Sequence, residues 1–401
     1  MKIGVLTFYR VANFGANLQA VSTYRYLQKA GHKVVFLNYI SQDSKTRFES
    51  SLQAEAHLTF IDETILAQTC ELKSSEDIAR AIENLKIEAV IIGSDAVVQH
   101  HPLITRIKRG RRKPFYISHL VPERMFPNPF WGIGFAEKTP TAMMSVSSQN
   151  SSFKHFSNGL KQEMYTVLKE MKYISVRDLW TKDMMSVIDN RITPPVTPDP
   201  VFAFNQNAGE FVPSENKIRS KYGLNRPYAL LSLHSQSLNY ETLEELKCLF
   251  AKEGILCVAL PMPTGIRFQH PFEKEIPTPL SPIDWYALIK YADAYIGSNM
   301  HPIIVSLHNA VPCFSIDNWG ATDFWGRKKH DGSSKVEHIL KFYGLESNHR
   351  NIEKGVCHVS AMDIFAAIKE FPKDRVLEIS ENQYKRYLQM MEQILNIFNK
   401  A

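Results

Sequence analysis

The sequence predicts an α/β protein built from two Rossmann-like domains, each a parallel sheet covered by helices, facing each other across a cleft. Three observations predict it. The chain opens as strand, glycine-bearing turn, helix and strand within its first forty residues, which is a βαβ unit. Short apolar runs then alternate with amphipathic stretches along most of the chain, and this order demands crossover connections between parallel strands buried on both faces. The length of 401 residues suits two domains, and Pro194, Pro195, Pro198 and Pro200 punctuate its middle. The boundary falls near Gln206, giving domains at residues 1–205 and 206–375 and a terminal helix at 376–401.

Residues 2–8, KIGVLTF, read as a buried strand, and an amphipathic helix runs to about Lys29 before Gly31 closes it. A second strand follows at 33–38 and a third at 87–92, ending in Gly93-Ser94-Asp95. Residues 99–140, rich in Pro, Arg and aromatics, read as an irregular insertion at a ligand-facing edge. Strands at 141–147 and 173–177 and helices at 161–170 and 179–187 complete the first domain. The second holds strands at 228–234, 255–261, 294–297 and 313–316, with helices at 240–253, 283–291 and 302–308. An amphipathic helix at 381–398 closes the chain.

Composition narrows the class. Hydrophobic content of 44% with 22% charged residues is that of an ordinary globular protein, whose core needs no disulfide or metal staple. Cys70, Cys248, Cys257, Cys313 and Cys357 are dispersed, without CxxC or a Cys/His cluster, which predicts reduced thiols and a cytoplasmic location. Met1 leads directly into a strand, so no signal peptide is expected. No apolar run approaches the roughly 18 residues of a membrane span. Net charge is +6, concentrated in Arg106, Lys108, Arg109, Arg111, Arg112 and Lys113. That run is read either as a solvated loop or as a contact with anionic lipid or a diphosphate-bearing acceptor. Nucleic acid is not expected, since no aromatic platform motif accompanies the charge.

Four places could carry chemistry. The first turn offers Asn13, Gly15, Asn17 and Gln19, neutral groups suited to a sugar, a carboxylate or a small phosphate at a helix N-terminus. On local pattern alone Asn13 is equally a helix cap and Gly15 an eased turn. Asp95, with Ser94, ends a strand and is either a base or a turn cap. Arg177 ends another strand and suits bidentate contact with a carboxylate or phosphate, or a plain ion pair with Asp178. His301, in Gly297-Ser298-Asn299-Met300-His301-Pro302, stands at a helix start, where an anion is stabilised; it also fits a structural role near the cap.

The same residues carry a resemblance. Thr7 to Ala20, T-F-Y-R-x-x-N-F-G-A-N-L-Q-A, resembles the amino-terminal signature of the polysaccharide pyruvyl transferase family, with Tyr9 where many members have His. Gly93-Ser94-Asp95, Ser175-Val176-Arg177-Asp178, Asp199-Pro200-Val201 and Ser298-Asn299-Met300-His301 resemble later family motifs in the same order. Val98 replaces an aromatic, Asn299 an Arg, Pro302 a Gly and Lys335 an Arg. The resemblance spans about residues 1–345. It implies the GT-B architecture, with the last helix packed back on the first domain. It also implies transfer of pyruvate from phosphoenolpyruvate onto two sugar hydroxyls, as a cyclic ketal, in cell-surface polysaccharide synthesis. No cofactor or metal is implied.

On that resemblance His301 and Asp95 are catalytic. Arg177, His301, Asn299, Lys335 and Arg327 hold phosphoenolpyruvate, chiefly from the second domain. Asn13, Gly15, Asn17, Gln19, Ser94 and Asp95 face the acceptor, a sugar that a lipid diphosphate would carry at the inner face of the cell membrane. Asp199 takes a structural role at the hinge. Two rivals share the architecture: a nucleotide-sugar glycosyltransferase, for which no acidic ribose-binding pair stands after Pro312, and a non-catalytic glycan or lipid binder. The geometric expectation is that His301 and Arg177 line opposing walls of one interdomain crevice.

Overall fold

Alternating strand and helix patterns resolve into two parallel sheets. The computed structural model describes residues 1–40, 51–109, 114–234, 237–317, 320, 332–352 and 357–400. The strands are β1 (Lys2–Leu6), β2 (Lys33–Phe36), β3 (Ala89–Asp95), β4 (Ile107–Lys108), β5 (Tyr116–Ile117), β6 (Thr141–Val146) and β7 (Tyr173–Val176), then β8 (Tyr228–Ser232), β9 (Leu256–Ala259), β10 (Lys274–Glu275), β11 (Ala294–Gly297), β12 (Cys313–Asp317) and β13 (His349–Asn351). The first sheet has the order β2-β1-β3-β6-β7 and the second β10-β9-β8-β11-β12-β13, all neighbours parallel. Strand order reverses between β1 and β3 in the first sheet and between β8 and β11 in the second. Ligands of such sheets bind outside the carboxyl ends of the strands at these reversals. The turn bearing Gly15 follows β1, Asp95 ends β3, and His301 follows β11, so the fold delivers three of the expected residues to the two switch points.

The domains share one core. Phe14, at the start of helix Phe14–Lys29, stacks on Trp285 of the second domain with ring centroids 5.0 Å apart and planes 8° off parallel. The Gln53 amide bonds both backbone groups of Leu280, donating at 2.8 Å and accepting at 2.7 Å. A continuous apolar cluster runs from Ile3 and Leu18 through Phe204 and Trp285 to Ile304 and Met391. The terminal helix, Lys373–Phe398, bridges the halves. Ser380 donates to the Leu307 carbonyl in the second domain. One to three turns later Arg386 donates to the Val196 carbonyl and Ser175 donates to the Met390 sulfur, so the helix packs back on the first domain. Among the described residues no helix is long and apolar enough to cross a membrane.

Several local expectations are corrected. The terminal helix begins at Lys373, not 381, because about two further turns, carrying buried Val376 and Ser380, extend it back to the Pro372 cap. Helices Leu52–Thr64, Ser75–Asn84, Glu215–Tyr222 and Ala361–Lys369 were not expected; the first three are mostly polar, so their apolar stripes are thin, and the fourth is apolar but only 9 residues long. Residues 99–140 do lack long elements, but Phe126, Phe130, Trp131 and Phe135 are core residues under the first sheet, so its second half is buried packing and not an exposed edge. Helix Met300–His308 starts two residues earlier than expected. His301 therefore lies inside the first turn and Pro302 at its third position, not its first. A Pro fits there because the first-turn N–H groups have no partner within a helix.

Candidate functional site

Four segments of the chain meet at one carboxylate. Asp199 follows the proline cluster and caps the short turn Pro200–Ala203, its Oδ1 accepting the Val201 N–H at 2.9 Å. Its other oxygen, Oδ2, accepts from Arg177 Nη1 at 2.7 Å and from the Gln19 amide, and lies 3.8 Å from His301 Nε2. The second guanidinium nitrogen, Arg177 Nη2, stands 3.8 Å from Asp95 Oδ1. His301 and Arg177 thus come together on Asp199, a residue expected from its motif to act only at the hinge. Its function was invisible because its partners lie far away along the chain. The Asp-Pro-Val motif was its one local signal.

Each side chain is aimed by its strand or helix. Arg177 follows β7, its backbone N–H bonded to the Val146 carbonyl at 2.9 Å. Asp178 does not pair with it. That carboxylate caps helix Leu179–Ile188 through the Thr181 N–H and hydroxyl, both at 2.7 Å, and accepts from Ser147. Asp95 sits at φ +95°, a conformation that costs an L-residue roughly 1–3 kcal/mol and gathers at functional sites. Its carbonyl accepts from Val97 and Ser147 at 2.9 Å, and its Oδ1 from the Ala96 N–H at 2.7 Å.

The two domains touch at Gly15 and His301. A Cβ at position 15 would lie 2.0 Å from His301 Cγ and 2.1 Å from Nδ1. Only glycine permits this approach. Lys335, first residue of helix Lys335–Phe342, reaches the same cluster from the second domain, close enough to shift the charge states of Asp95 and His301.

The electrostatics are those of buried charges in mutual contact. Burial alone would raise the Asp95 carboxyl, but Arg177, then His301 and Lys335, more than reverse this and hold it below its ordinary value. Burial works against the Arg177 charge, and Asp199, Asp95 and Asp178 outweigh it, so the guanidinium stays firmly charged. Burial depresses His301, with Asp199 opposing, so its imidazole is mainly neutral near pH 7. Burial, with Arg177, draws Lys335 down to about 8. Among the described residues four buried atoms here have no hydrogen-bond partner: Arg177 Nε and Nη2, His301 Nε2 and Gln19 Oε1.

Other expected residues are placed differently. Asn13 is an exposed cap, its Oδ1 accepting the Ala16 N–H at 3.2 Å. Asn17 is fully buried, bonding the Val11 carbonyl and His57, because the inner face of its helix packs on the second domain. Gln19 is also buried and acts through Asp199. The Ser94 hydroxyl donates to the Ser145 carbonyl inside the sheet. All three side chains are buried, and Asn17 Oδ1 and Gln19 Oε1 have no hydrogen-bond partner among the described residues. Asn299 occupies the cap position of the His301 helix without a side-chain cap bond. Tyr9 packs in the core edge-on to Phe36, and Val98 is buried beneath the first sheet. Arg327 lies outside the described residues, as do Arg111, Arg112 and Lys113. Among the described residues no three His, Cys, Asp or Glu side chains form a metal-holding group.

A groove of about 630 Å³ lies between the helix that follows Arg177 and the helix that Lys335 begins, and none of Asp95, Arg177, Asp199, His301 and Lys335 lines it. Lys154, Trp180, Asp183, Ser334, Glu337 and His338 line it, so both domains contribute.

The fold is shared with solved sugar-nucleotide enzymes. UDP-N-acetylglucosamine 2-epimerase from Rickettsia bellii superposes with a TM-score of 0.52 at 11% identity, over 100% of this chain and 98% of that one. The Neisseria meningitidis UDP-GlcNAc 2-epimerase, solved bound to UDP-GlcNAc, gives 0.53 at 11% identity, over 98% and 99%. At such identity the likeness speaks for the GT-B fold alone. No curated protein matches the chain. The sequence profile of the polysaccharide pyruvyl transferases matches residues 13–320, a span that includes Gly15, Asp95, Arg177, Asp199 and His301. The chain belongs to the polysaccharide pyruvyl transferase family.

Proposed function

We propose that this crevice moves the pyruvyl group of phosphoenolpyruvate onto two hydroxyls of a sugar, closing a cyclic ketal and releasing phosphate. The observation that carries the reading is the Nε–Nη2 edge of Arg177, two parallel N–H donors, buried and without a hydrogen-bond partner among the described residues. Such an edge matches a carboxylate or phosphate bidentately. Asp199 holds the opposite corner of the guanidinium and so fixes its plane.

The chemistry assigns roles. The enol carbon C3 must gain a proton and become a methyl group, leaving C2 electrophilic. One sugar oxygen then bonds to C2 as its proton leaves. The C2–O bond to phosphate breaks with its electron pair on phosphate, and the second hydroxyl closes the ring. Two hydroxyl protons are lost; one equivalent is gained at C3 and the other leaves with phosphate, so no oxidant or reductant is needed. Arg177 binds the donor carboxylate, and Lys335 the phosphate. His301 delivers the proton to C3, since the approach of a multiply charged anion favours its protonated form. Asp95, held ionised by Arg177, accepts the hydroxyl proton. No cofactor enters, and we place the reaction in the cytoplasm.

The test is acceptor-dependent phosphate release from phosphoenolpyruvate, with calorimetric titration of phosphoenolpyruvate against nucleotide sugars. His301→Ala and Arg177→Lys, which keeps a charge but loses the fork, should each cost about 10²–10³ in turnover. Full activity in both variants would refute the assignment. Binding of nucleotide sugar without phosphoenolpyruvate would replace it with glycosyl transfer.

A further inference from the structure

Gln19 was expected to face a sugar and is instead buried behind Asp199, where the transfer reaction leaves it without a part. It belongs to one stripe of helix Phe14–Lys29. Gly15, Gln19 and Ser22 are spaced by four and three residues, so they share a face of that helix. Each touches the site differently. Gly15 abuts the His301 ring. The Gln19 amide donates to Asp199 Oδ2. The Ser22 hydroxyl donates to the Pro200 carbonyl at 2.7 Å. The helix thus clasps the turn that begins at Asp199 and meets the imidazole with the same face.

The bonds on Asp199 account for an oddity of His301. Its Nε2 is buried and has no hydrogen-bond partner among the described residues, although a carboxylate oxygen stands 3.8 Å away. A hydrogen bond needs about 3 Å, and an ionised carboxylate is a strong acceptor. Each carboxylate oxygen offers about two lone-pair sites. On Oδ2 both are taken, one by Arg177 Nη1 at 2.7 Å and one by the Gln19 amide. Oδ1 is turned to the Val201 N–H at 2.9 Å. We infer that Gln19 is a positioning residue: with Arg177 it saturates Asp199 Oδ2, so that His301 Nε2 stays unbonded and open to the substrate. Asp199 then supports the imidazole through its charge without capturing its proton. On the reading that His301 passes a proton to the donor, on which this inference rests, a ring bonded to Asp199 would hold that proton back from C3. The other charged groups acting on His301 are Arg177 and Lys335, which oppose its protonation, and Asp95, which favours it; none belongs to the helix of Gln19.

The experiment is a pH titration of the His301 imidazole by NMR, in the full chain with labelled histidine, the resonance assigned by its loss in His301→Gln. Gln19→Met fills similar space and donates nothing, so one site on Oδ2 falls free. The Nε2–H of His301 should close on it, and the pKa of His301 should rise by about one pH unit, a tenfold gain in proton affinity. The pH–rate limb of His301 should move to higher pH with it. Ser22→Ala loosens the same turn but leaves Oδ2 saturated, so its melting temperature should fall while His301 titrates as in the wild type. Gln19→Asn, one methylene too short to reach Asp199, repeats the comparison if Gln19→Met does not fold. Should neither fold, the wild-type imidazole decides: a strongly deshielded Nε2 proton, the signature of a bond to carboxylate, would overturn the inference, and its absence would uphold it. An unmoved or lowered His301 pKa in a folded Gln19 variant also overturns it. So does an equal rise in Ser22→Ala, which would trace the effect to general loosening. The imidazole titration needs neither donor nor acceptor, so a chain that turns over some other donor still answers it.

Discussion

Replacing Gly15 by Ala tests the domain apposition directly. The added Cβ would sit 2.0 Å from His301 Cγ, 2.1 Å from Nδ1 and 2.5 Å from Cδ2. Carbon atoms in contact rest at about 3.5–4.0 Å, so the imidazole must retreat by about 1.5 Å. Rotation does not relieve the clash, because three atoms of the ring are involved. Translation is resisted too, since Ile303, Ile304 and Val305 of the same helix are wholly buried. Overpacking of this kind costs about 1–3 kcal/mol. The functional penalty is larger. Retreat carries Nε2 away from Asp199, already 3.8 Å off, and a 1 Å misplacement near reacting groups costs about 10²-fold. Calorimetry should show a lower melting temperature, and acceptor-dependent phosphate release should fall about a hundredfold. Gly159→Ala is the control: it lies in helix Asn158–Leu168, nothing stands within 4 Å of its Cβ, and stability should hold or rise slightly. A Gly15→Ala protein with wild-type turnover and melting temperature would mean that His301 does not abut the first helix, and the shared site would fall with it.

Three further outcomes follow from the same contacts. Asp199→Asn keeps an acceptor for the Val201 N–H but removes the charge facing Arg177 and His301. We expect a stability loss of up to about 3–5 kcal/mol from the uncompensated guanidinium. The pH–rate limb of His301 should also move to lower pH, since Asp199 supports its charged form; an unmoved limb would leave Asp199 a purely structural role. Lys335 loses its charge as pH rises through about 8, so phosphoenolpyruvate affinity should weaken above that pH. Lys335→Met should bind about tenfold more weakly and show no such dependence; calorimetric titration across pH 7–9 distinguishes the two. Finally, burial holds His57, His100 and His101 down to about 4 and His308 to about 3. The unfolded chain binds these protons at about 6.5, so stability is complete above that value and falls as pH drops towards 4, by up to about 3 kcal/mol per buried His. A melting temperature flat between pH 6.5 and 4.5 would contradict this.

Much of the architecture was legible because it is written in short-range pattern. The apolar run of β1, the Asn13 cap and the closing Gly31 fall within one βαβ unit and need no distant partner. The positions of Asp95, Arg177 and His301 at the carboxyl ends of strands follow from the same pattern, since strand ends are readable and parallel sheets gather them on one edge. Short polar helices such as Ser75–Asn84 escaped because few apolar positions mark their inner face.

What the chain's own order of residues determined was which chemical groups reach the rim of each sheet. Which groups meet there was decided only by the packing of one domain on the other. Arg177 lies beside Asp178 in sequence yet bonds Asp199, because helix capping claims the nearer carboxylate. Asn17 and Gln19 carry the polarity of a binding turn yet are buried, because Trp285 and its neighbours cover that face of the helix. Gly15 touches His301 from the other domain because the shared apolar core draws the two switch points together. Local propensity acts over a few residues, whereas the partner of a buried charge is chosen by the whole fold, which leaves such a charge stable only where its counter-charge has been brought alongside.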